Sequence, residues 1–356
     1  MDCDSRPFTL HCLHVLEGNL VSVWAEVDLS VLNENVNHLK TLTTKEVFGV
    51  VKDNAYGHGD VEIAHALDVQ VLCVFSIREA IRLREHGIET DILVFGFTDV
   101  SLIEENLHHN FIYTVASLDW FETLKSPIRL HIEINTGMNR IGLKDLSDIH
   151  TIVNSKHSVE GIYTHFGNPT NIEIGTQQIN KFTELLSQIK HSFKWIHVGN
   201  APVEIIKSNA YINAARFGLG MYGYRDEIKG LKPILSLYAN LEFIDTAYPA
   251  DTIGYDYTYE VTETLKYGTI PIGYSDGFDM RQALCPVFIA GKAQSILGKV
   301  CMNQTMLRVD EETEVGTKVE LIGVNRSAQL IHETTGIMPY VLLTCLSPNL
   351  KRVYSK

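Results

Sequence analysis

The chain has 356 residues, of which 45% are hydrophobic, and it carries a formal net charge of -13 at pH 7. This size and apolar content suit a globular protein with one large core or two ordinary ones, and the length favours two domains. The acidic charge, with lysine and arginine spread along the chain, argues against nucleic acid or an anionic membrane surface as the main partner. Small molecules are the favoured partners.

The cysteines and the N-terminal stretch indicate the compartment. The 6 cysteines include no CxxC pair, and a chain of this size does not need disulfides, so we predict free thiols in a reducing cytoplasm. The N-terminal stretch has no apolar run long enough for a signal peptide or a membrane span. His11, Cys12 and His14 could chelate a metal, but such a short tract is more often incidental, and no metal site is predicted.

Short β-rich segments alternate with amphipathic segments between about residues 22 and 223. The β-rich segments are VFGVVK, VLCVFS, DILVFG, FIYTVAS, RLHIEIN, VEGIYTHF, KWIHVGN and RFGLGMYG. Leu29, Leu32, Val36 and Leu39 recur at helical spacing in one of the intervening segments. Alternation of strands and helices over about 200 residues predicts a parallel sheet with helical crossovers, and about eight such units favour a closed (β/α)8 barrel.

A second domain is indicated after the segment RDEIKGLKP, where the pattern changes to period two. Segments such as LYANLEFIDTA, CPVFIAGKAQSIL and TKVELIG are separated by turn signals. This pattern predicts a mostly antiparallel β domain. The expected division is an N-terminal extension at residues 1–21, the barrel at residues 22–230 and the β domain at residues 231–356.

Polar residues that follow the predicted barrel strands are the candidates for a functional site. In a parallel barrel the active site lies at the C-terminal ends of the strands, so polar side chains there converge on one mouth. These residues are Lys52, Arg140, His165, His197 and Arg216. Taken singly, each has an ordinary explanation, because a strand-end lysine usually extends to solvent and a strand histidine is usually a satisfied core residue.

Lys52 suits covalent chemistry when its surroundings are considered. A lysine amine in a pocket can act as a nucleophile or a base, and a Schiff base with pyridoxal phosphate fits this position. Tyr56 follows four residues later, and the stretch RFGLG offers free backbone N–H groups that could bind a phosphate.

Motifs in chain order resemble those of the alanine racemase family. They are VVKDNAYGHG, INTGMNRIG, THF, RFGLGMYG, GYDYTY, PIGYSDGF, GKVCMNQTM and MPY. The resemblance covers residues 24–354. It implies a barrel that binds pyridoxal 5′-phosphate, a C-terminal β domain, and a homodimer in which both active sites are shared between the subunits.

The resemblance implies two catalytic bases on opposite faces of the substrate Cα. Lys52 would hold the cofactor and act as one base, and the partner subunit's Tyr255 would be the other. Arg216 would face the pyridine nitrogen and keep it unprotonated. His165 and His197 would link Arg216 to Tyr255 by hydrogen bonds.

Further positions match the family's binding residues. Those matching the cofactor-binding positions are Tyr56, His165, His197, Asn200, Ala201, Gly218, Leu219 and Tyr340. Arg140, Met302 and Tyr274 match positions around the substrate carboxylate and the entrance, and the last two would come from the partner. Glu133 stands where many members have a carbamylated lysine, so its carboxylate would supply a negative charge beside Arg140.

The expected function is an isomerase that interconverts L-alanine and D-alanine and supplies D-alanine for peptidoglycan. Two alternatives are a racemase for serine or a broader set of amino acids, and a non-catalytic pyridoxal phosphate carrier. Tyr340 favours alanine, because a bulky phenol near the substrate side chain leaves room for little more than a methyl group. The β domain with Tyr255 and Tyr274 argues against a carrier, since such carriers resemble a single barrel domain.

Overall fold

The computed structural model describes residues 22–356. The expected N-terminal extension, including His11, Cys12 and His14, lies outside the described residues. The described chain forms a closed parallel barrel followed by a mostly antiparallel β domain, so the predicted fold class is confirmed.

The chain begins with strand β1 (Val23–Asp28) and helix α1 (Leu29–Thr43) and then enters the barrel. The barrel strands are β2 (Glu46–Val50), β3 (Val71–Val74), β4 (Asp91–Val94), β5 (Ile112–Val115), β6 (Arg129–Ile134), β7 (Ser158–His165), β8 (Trp195–Gly199) and β9 (Ala214–Phe217). The helices between them are α2 (Lys52–Tyr56), α3 (Asp60–Ala66), α4 (Ile77–Glu85), α5 (Val100–Glu105), α6 (Leu118–Glu122), α7 (Leu146–Val153), α8 (Ile172–Ser187) and α9 (Val203–Ser208). Each of the β-rich segments identified in the sequence contains all or part of one barrel strand, and of RFGLGMYG only Arg216 and Phe217 lie in β9.

Helix α1 shows how local sequence sets an element. Its N-terminus is capped by the Asp28 carboxylate, which accepts hydrogen bonds from the N–H groups of Ser30 and Val31. One face of the helix packs against the barrel. The residues predicted for that face, Leu29, Leu32, Val36 and Leu39, are all buried.

The barrel interior has an apolar part and a polar part. The apolar part is the cluster of Phe48, Val50, Val71, Cys73, Leu93, Ile112 and Ala214. The polar part consists of buried side chains that alternate along β6 to β9 with residues facing the helices. They are His131, Glu133, Tyr163, His197 and Arg216. This polar group lies inside a low-dielectric core, so each member must find a partner there.

The β domain contains the remaining elements. Its strands are β10 (Leu235–Asn240), β11 (Phe243–Ala247), β12 (Thr252–Ile253), β13 (Tyr259–Glu260), β14 (Leu265–Ile270), β15 (Val287–Ile289), β16 (Lys292–Gln294), β17 (Thr305–Arg308), β18 (Lys318–Ile322) and β19 (Lys351–Ser355). Its helices are α10 (Ala328–Thr335) and α11 (Pro339–Thr344). The main sheet has the strand order β16-β15-β18-β10-β1-β19, and smaller sheets are formed by β11-β14-β17 and β12-β13.

The position of β1 corrects the expected start of the barrel at residue 22. Strand β1 pairs antiparallel with β10 and parallel with β19, so it belongs to the main sheet of the β domain. Its burial alternates toward its end, as in a strand with one covered face, whereas barrel strands such as β3 and β5 are buried throughout. The chain therefore leaves the β domain, forms the barrel, and returns between Phe217 and Leu235.

Two further features concern the cysteines and the helices. Cys73, Cys285, Cys301 and Cys345 are free thiols. None of the helices between residues 22 and 356 combines the length and the apolar character that crossing a membrane requires.

Candidate active site

Lys52 lies at the mouth of the barrel, on a strained turn that directly follows β2. Asp53, Asn54, Ala55 and Tyr56 have φ angles of 54°, 55°, 52° and 53°, so α2 is a left-handed helical turn made without glycine. Each L-residue in this conformation costs roughly 1–2 kcal/mol. Such a turn persists only when surrounding contacts hold it.

The β domain holds the far end of this turn. Arg352 of β19 donates through Nε to the Gly57 carbonyl at 2.8 Å, and the Tyr354 hydroxyl donates to the His58 carbonyl at 3.0 Å. Helix α11 also packs against the turn and carries Tyr340, whose side chain is half-exposed. The β domain thus fixes the segment that carries Lys52 and brings the Tyr340 phenol to the same region.

The Lys52 side chain is partly open to solvent, with 31% of its surface exposed. Its Nζ atom lies 3.9 Å from a carboxylate oxygen of Asp53 and 5.9 Å from the centre of the Phe75 ring. The amine is therefore accessible at the mouth and is not committed to a tight ion pair.

Arg216 is a buried cation whose hydrogen-bond partners within residues 22–356 are all neutral. Nη1 donates to His197 Nδ1 at 2.6 Å, and Nη2 donates to the Thr164 carbonyl at 3.0 Å and to His165 Nδ1 at 3.4 Å. The guanidinium carbon lies 4.2 Å from the centre of the Tyr163 ring. Burial lowers the pKa of Arg216 from its ordinary value, but arginine keeps its proton in proteins.

The charge of Arg216 determines the tautomers of two histidines. Because arginine only donates, His197 Nδ1 must accept, and the ring proton of His197 lies on Nε2. That proton is donated to His131 Nδ1 at 2.9 Å, so the His131 proton lies on Nε2, which is buried without a partner among the described residues. Burial lowers the pKa of His131 to about 3 and that of His197 well below its ordinary range, so both rings are neutral.

His197 does not make the link that the sequence predicted. The expectation was a path from Arg216 through His165 and His197 to Tyr255. Both ring nitrogens of His197 form hydrogen bonds inside the barrel, and its side chain is fully buried. His197 therefore orients Arg216 from the interior side of the barrel. Only His165 extends the path toward the mouth. Burial and the charge of Arg216 lower the pKa of His165 to about 3, and the proton of this neutral ring is on Nε2 because Nδ1 accepts.

Three backbone groups beside Arg216 are free to bind an anion. Within residues 22–356 the N–H groups of Ala201, Gly218 and Leu219 donate to no protein acceptor. A Cβ atom at Gly218 would lie 2.7 Å from the Tyr56 hydroxyl oxygen, so this hydroxyl lies directly over the Gly218 backbone. Burial raises the pKa of Tyr56 to about 12, which keeps its phenol protonated and able to donate. Free amides with a hydroxyl donor form a typical phosphate site.

Asn200 contributes to this loop through its backbone shape. It has a φ angle of 56°, and its side-chain amide donates to the Phe166 carbonyl at 3.1 Å. Its amide group is therefore used within the protein, and the loop that it turns presents the Ala201 N–H group.

Glu133 and Arg140 do not form the pair that the sequence suggested. Arg140 is exposed, whereas the Glu133 carboxylate is buried and accepts a hydrogen bond of 2.9 Å from the Tyr163 hydroxyl. No ion pair or hydrogen bond joins these two described residues. Burial raises the pKa of Glu133, and the nearby Arg216 charge opposes this rise.

Tyr255, Tyr274 and Met302 lie together on loops of the β domain. The Tyr274 N–H group donates to the Cys301 carbonyl at 3.1 Å, which joins the loops of Tyr274 and Met302. Lys299 and Asp256 form an ion pair of 2.5 Å that connects the loop of Tyr255 to the loop of Met302. Tyr255, Tyr274 and Met302 are exposed by 68%, 45% and 54%. The structure thus presents these three side chains on one open surface.

The sequence reasoning missed three residues of this site. His131 and Tyr163 were not singled out. Each alternates with apolar residues on a barrel strand, and this period-two pattern places both side chains inside the barrel. The role of Glu79 next to the Lys52 turn was missed as well, and nothing in its local sequence beyond a helix cap points to it.

Comparison with known proteins identifies the family. Residues 27–226 match the family model described as "Alanine racemase, N-terminal domain", and residues 234–354 match "Alanine racemase, C-terminal domain". The chain belongs to the alanine racemase family. The resemblance found in the sequence is therefore confirmed.

Individual alanine racemases match over nearly the whole chain. One from Listeria innocua is 33% identical over 360 residues, which cover 93% of this chain and 97% of the relative. An alanine racemase from Bacillus anthracis, solved with bound L-Ala-P, superposes with a TM-score of 0.87 at 31% identity and covers 94% of this chain and 95% of its own. A histidine racemase from Leuconostoc mesenteroides has a TM-score of 0.85 at 24% identity over 95% and 99% of the two chains, which shows a shared fold alone.

The residues at the mouth fit the cofactor that the family implies. Pyridoxal 5′-phosphate requires an amine, donors for its phosphate and a group to face its ring nitrogen. Lys52, the free amides with Tyr56, and Arg216 meet these requirements at one end of the barrel. A Cβ atom at Gly199 would lie 2.5 Å from Nη2 of Arg216, so the absence of a side chain at this glycine makes room for the guanidinium.

Proposed function

We propose that this alanine racemase interconverts L-alanine and D-alanine with pyridoxal 5′-phosphate held by Lys52. The observation that carries the proposal is the meeting of the Lys52 amine, the free amides of Gly218 and Leu219, and the buried Arg216 at one barrel mouth. When bound, the cofactor would supply a conjugated ring that accepts the charge left on Cα after a proton is removed.

Different residues would bind different parts of the cofactor. Lys52 would attach it, and the amides of Ala201, Gly218 and Leu219 with the Tyr56 hydroxyl would bind its phosphate. Arg216 would donate to the ring nitrogen and, because it keeps its proton, would leave that nitrogen unprotonated. Arg216 would thereby limit the charge that the ring takes up and so suppress side reactions such as transamination.

Racemisation needs a second base on the face of Cα opposite Lys52. We propose a homodimer in which the partner subunit's Tyr255 supplies this base, since the exposed loops of the β domain present Tyr255 away from the protomer. The neutral His165 would donate its Nε2 proton to the phenolic oxygen. A hydrogen bond donated there stabilises the deprotonated phenol, which is the form that removes a proton.

The substrate carboxylate would be bound at the entrance. We propose that Arg140, which is exposed and free of an ion pair with Glu133, contacts the carboxylate. The partner's Met302 backbone N–H and the partner's Tyr274 would complete this contact. The Tyr340 phenol would limit the substrate side chain to about the size of a methyl group.

Borohydride treatment of the holoenzyme is expected to fix the cofactor irreversibly on Lys52. The protein should be yellow before reduction and lose this absorption afterwards, because borohydride would make the reversible attachment of the cofactor to the Lys52 amine permanent. Peptide mapping of the labelled protein decides the site. A label on any other lysine would refute the assignment of Lys52.

Glu133→Gln is expected to change substrate binding by less than about 1 kcal/mol, because Arg140 is not ion-paired to Glu133 and is open to solvent. Glutamine can still accept the Tyr163 hydroxyl proton, so the barrel interior should keep its shape. Activity should not depend on bicarbonate, since no carbamate is needed. Steady-state kinetics with and without bicarbonate provide the test, and a large rise in KM would show that Glu133 does orient Arg140.

Chiral chromatography tests the proposed function. The purified enzyme is incubated separately with L-alanine, L-serine and L-arginine, and both enantiomers are followed over time. We expect D-alanine to form fastest and the mixture to approach equal amounts from either enantiomer. Faster conversion of serine or arginine would favour the broader racemase. No conversion with cofactor bound would favour a carrier.

We propose that the enzyme works in the cytoplasm, where Cys73, Cys285, Cys301 and Cys345 remain reduced. There it would supply D-alanine for peptidoglycan synthesis.

A further inference from the structure

The Glu79 carboxylate connects two loops at the barrel mouth. Its Oε1 atom accepts the Asp53 N–H group at 2.7 Å, and its Oε2 atom accepts the N–H groups of Phe75 at 3.0 Å and Ser76 at 2.7 Å. Asp53 begins the left-handed turn after β2, whereas Phe75 and Ser76 follow β3. A single side chain of α4 therefore ties the turn that carries Lys52 to the neighbouring loop of the barrel.

Only part of this arrangement is explained by the start of helix α4. Ser76 and Glu79 form a capping box, in which Ser76 Oγ accepts the Glu79 N–H group and Glu79 Oε2 accepts the Ser76 N–H group. The cap uses Oε2 alone. The bond from Asp53 to Oε1 contributes nothing to the helix, so it needs another explanation.

We propose that Glu79 is a positioning residue that orients Lys52 by holding the Asp53 amide. The Lys52 carbonyl and the Asp53 N–H group belong to one planar peptide unit, so fixing this N–H also fixes the backbone from which the Lys52 side chain extends. The four residues that follow Lys52, from Asp53 to Tyr56, are in the strained left-handed conformation. Arg352 and Tyr354 hold the far end of the turn, and Glu79 holds its start.

The charge of Glu79 suits this role. A carboxylate offers two acceptor oxygens, and hydrogen bonds to a charged acceptor are stronger than those to a neutral one. One oxygen can serve the cap while the other serves the turn. Glutamine has a single acceptor oxygen, which capping boxes accommodate well, so Glu79→Gln should keep the cap and release Asp53.

The test compares Glu79→Gln with the matched control Ser76→Ala. The control removes the serine half of the capping box and leaves the bond between Glu79 and Asp53 in place. Hydrogen–deuterium exchange of the holoenzyme is followed in a peptide that spans residues 52–59. We expect exchange in this peptide to rise about tenfold or more in Glu79→Gln, as loss of a charge-assisted hydrogen bond predicts. In Ser76→Ala it should stay at the wild-type rate.

A second measurement tests whether loss of the hydrogen bond to the Asp53 N–H group weakens cofactor binding at Lys52. Cofactor is removed from each variant and titrated back, and binding is followed by its absorption. We expect the affinity to fall about tenfold in Glu79→Gln and to be unchanged in Ser76→Ala, with melting temperatures recorded to show that both are folded. Unchanged exchange or unchanged affinity in Glu79→Gln would overturn the inference, as would equal effects in both variants.

This inference rests on the proposed role of Lys52, but the two can fail separately. If borohydride labelled another lysine, the proposed function would fail. In that case, faster hydrogen–deuterium exchange in Glu79→Gln would still show that Glu79 holds the Asp53 amide.

Discussion

Replacing Lys52 by alanine is expected to lower racemisation by more than about 10⁴-fold in both directions, because the change would remove the proposed attachment of the cofactor and one of the two proposed bases. The fold should survive, since the side chain is partly exposed at the barrel mouth and belongs to no apolar cluster. The yellow colour should be lost with the amine. Chiral chromatography and absorption spectra of the variant measure both effects.

Lys45 provides the matched control for this experiment. It directly precedes β2, at the opposite end of the barrel from Lys52, and its Nζ atom donates to the Asn209 carbonyl at 3.0 Å. Lys45→Ala should keep the colour and the turnover. Comparable losses in both variants would indicate general damage to the barrel, and an active Lys52→Ala enzyme would contradict the proposed chemistry.

Replacing Tyr255 by phenylalanine is expected to reduce racemisation by about 10²–10⁴-fold while the cofactor stays bound, as is typical for loss of a general base. The defect should depend on the enantiomer. We propose that Tyr255 removes the proton of the L-enantiomer and Lys52 that of the D-enantiomer, so exchange of the Cα proton with deuterated water should be slow for L-alanine and persist for D-alanine. Mass spectrometry of each enantiomer measures this exchange.

Tyr257 is the control for the loop that carries Tyr255. It is 77% exposed, lies on the same short 3₁₀ turn, and has no proposed part in the reaction. Tyr257→Phe should exchange both enantiomers at the wild-type rate. Rapid exchange of L-alanine by Tyr255→Phe would show that another group serves as the second base.

The barrel could be predicted because its strands carry a strong local signal. Segments such as VLCVFS and DILVFG are short apolar runs that parallel strands, buried on both faces, require. Strand β1 was assigned to the wrong domain because its partners, β10 and β19, lie more than 200 residues away along the chain, as the pairing of Val23 with Ala239 and of Trp24 with Lys351 shows. Local periodicity holds no information about such distant pairing.

Site residues at strand ends were easier to predict than those inside the barrel. Lys52 and Arg216 stand next to recognisable apolar runs, so their convergence at one mouth follows from the topology. The direction of the hydrogen bonds from Arg216 through His197 to His131 depends on which side chains meet across three strands. The left-handed turn was also unpredictable, because Asp53 and Ala55 have no intrinsic preference strong enough to adopt it without Arg352 and Glu79.

Mixing two inactive variants tests directly whether one subunit's Lys52 works with the partner subunit's Tyr255. Lys52→Ala and Tyr255→Phe subunits are unfolded together in equal amounts, refolded with cofactor, and assayed for racemisation of alanine. In a shared arrangement each hybrid dimer has one intact site, so random pairing should restore about one quarter of the wild-type activity per subunit. If both residues of a site came from the same chain, no hybrid would contain an intact site. The mixture would then stay as inactive as its components, which would contradict the two-subunit, two-base racemase.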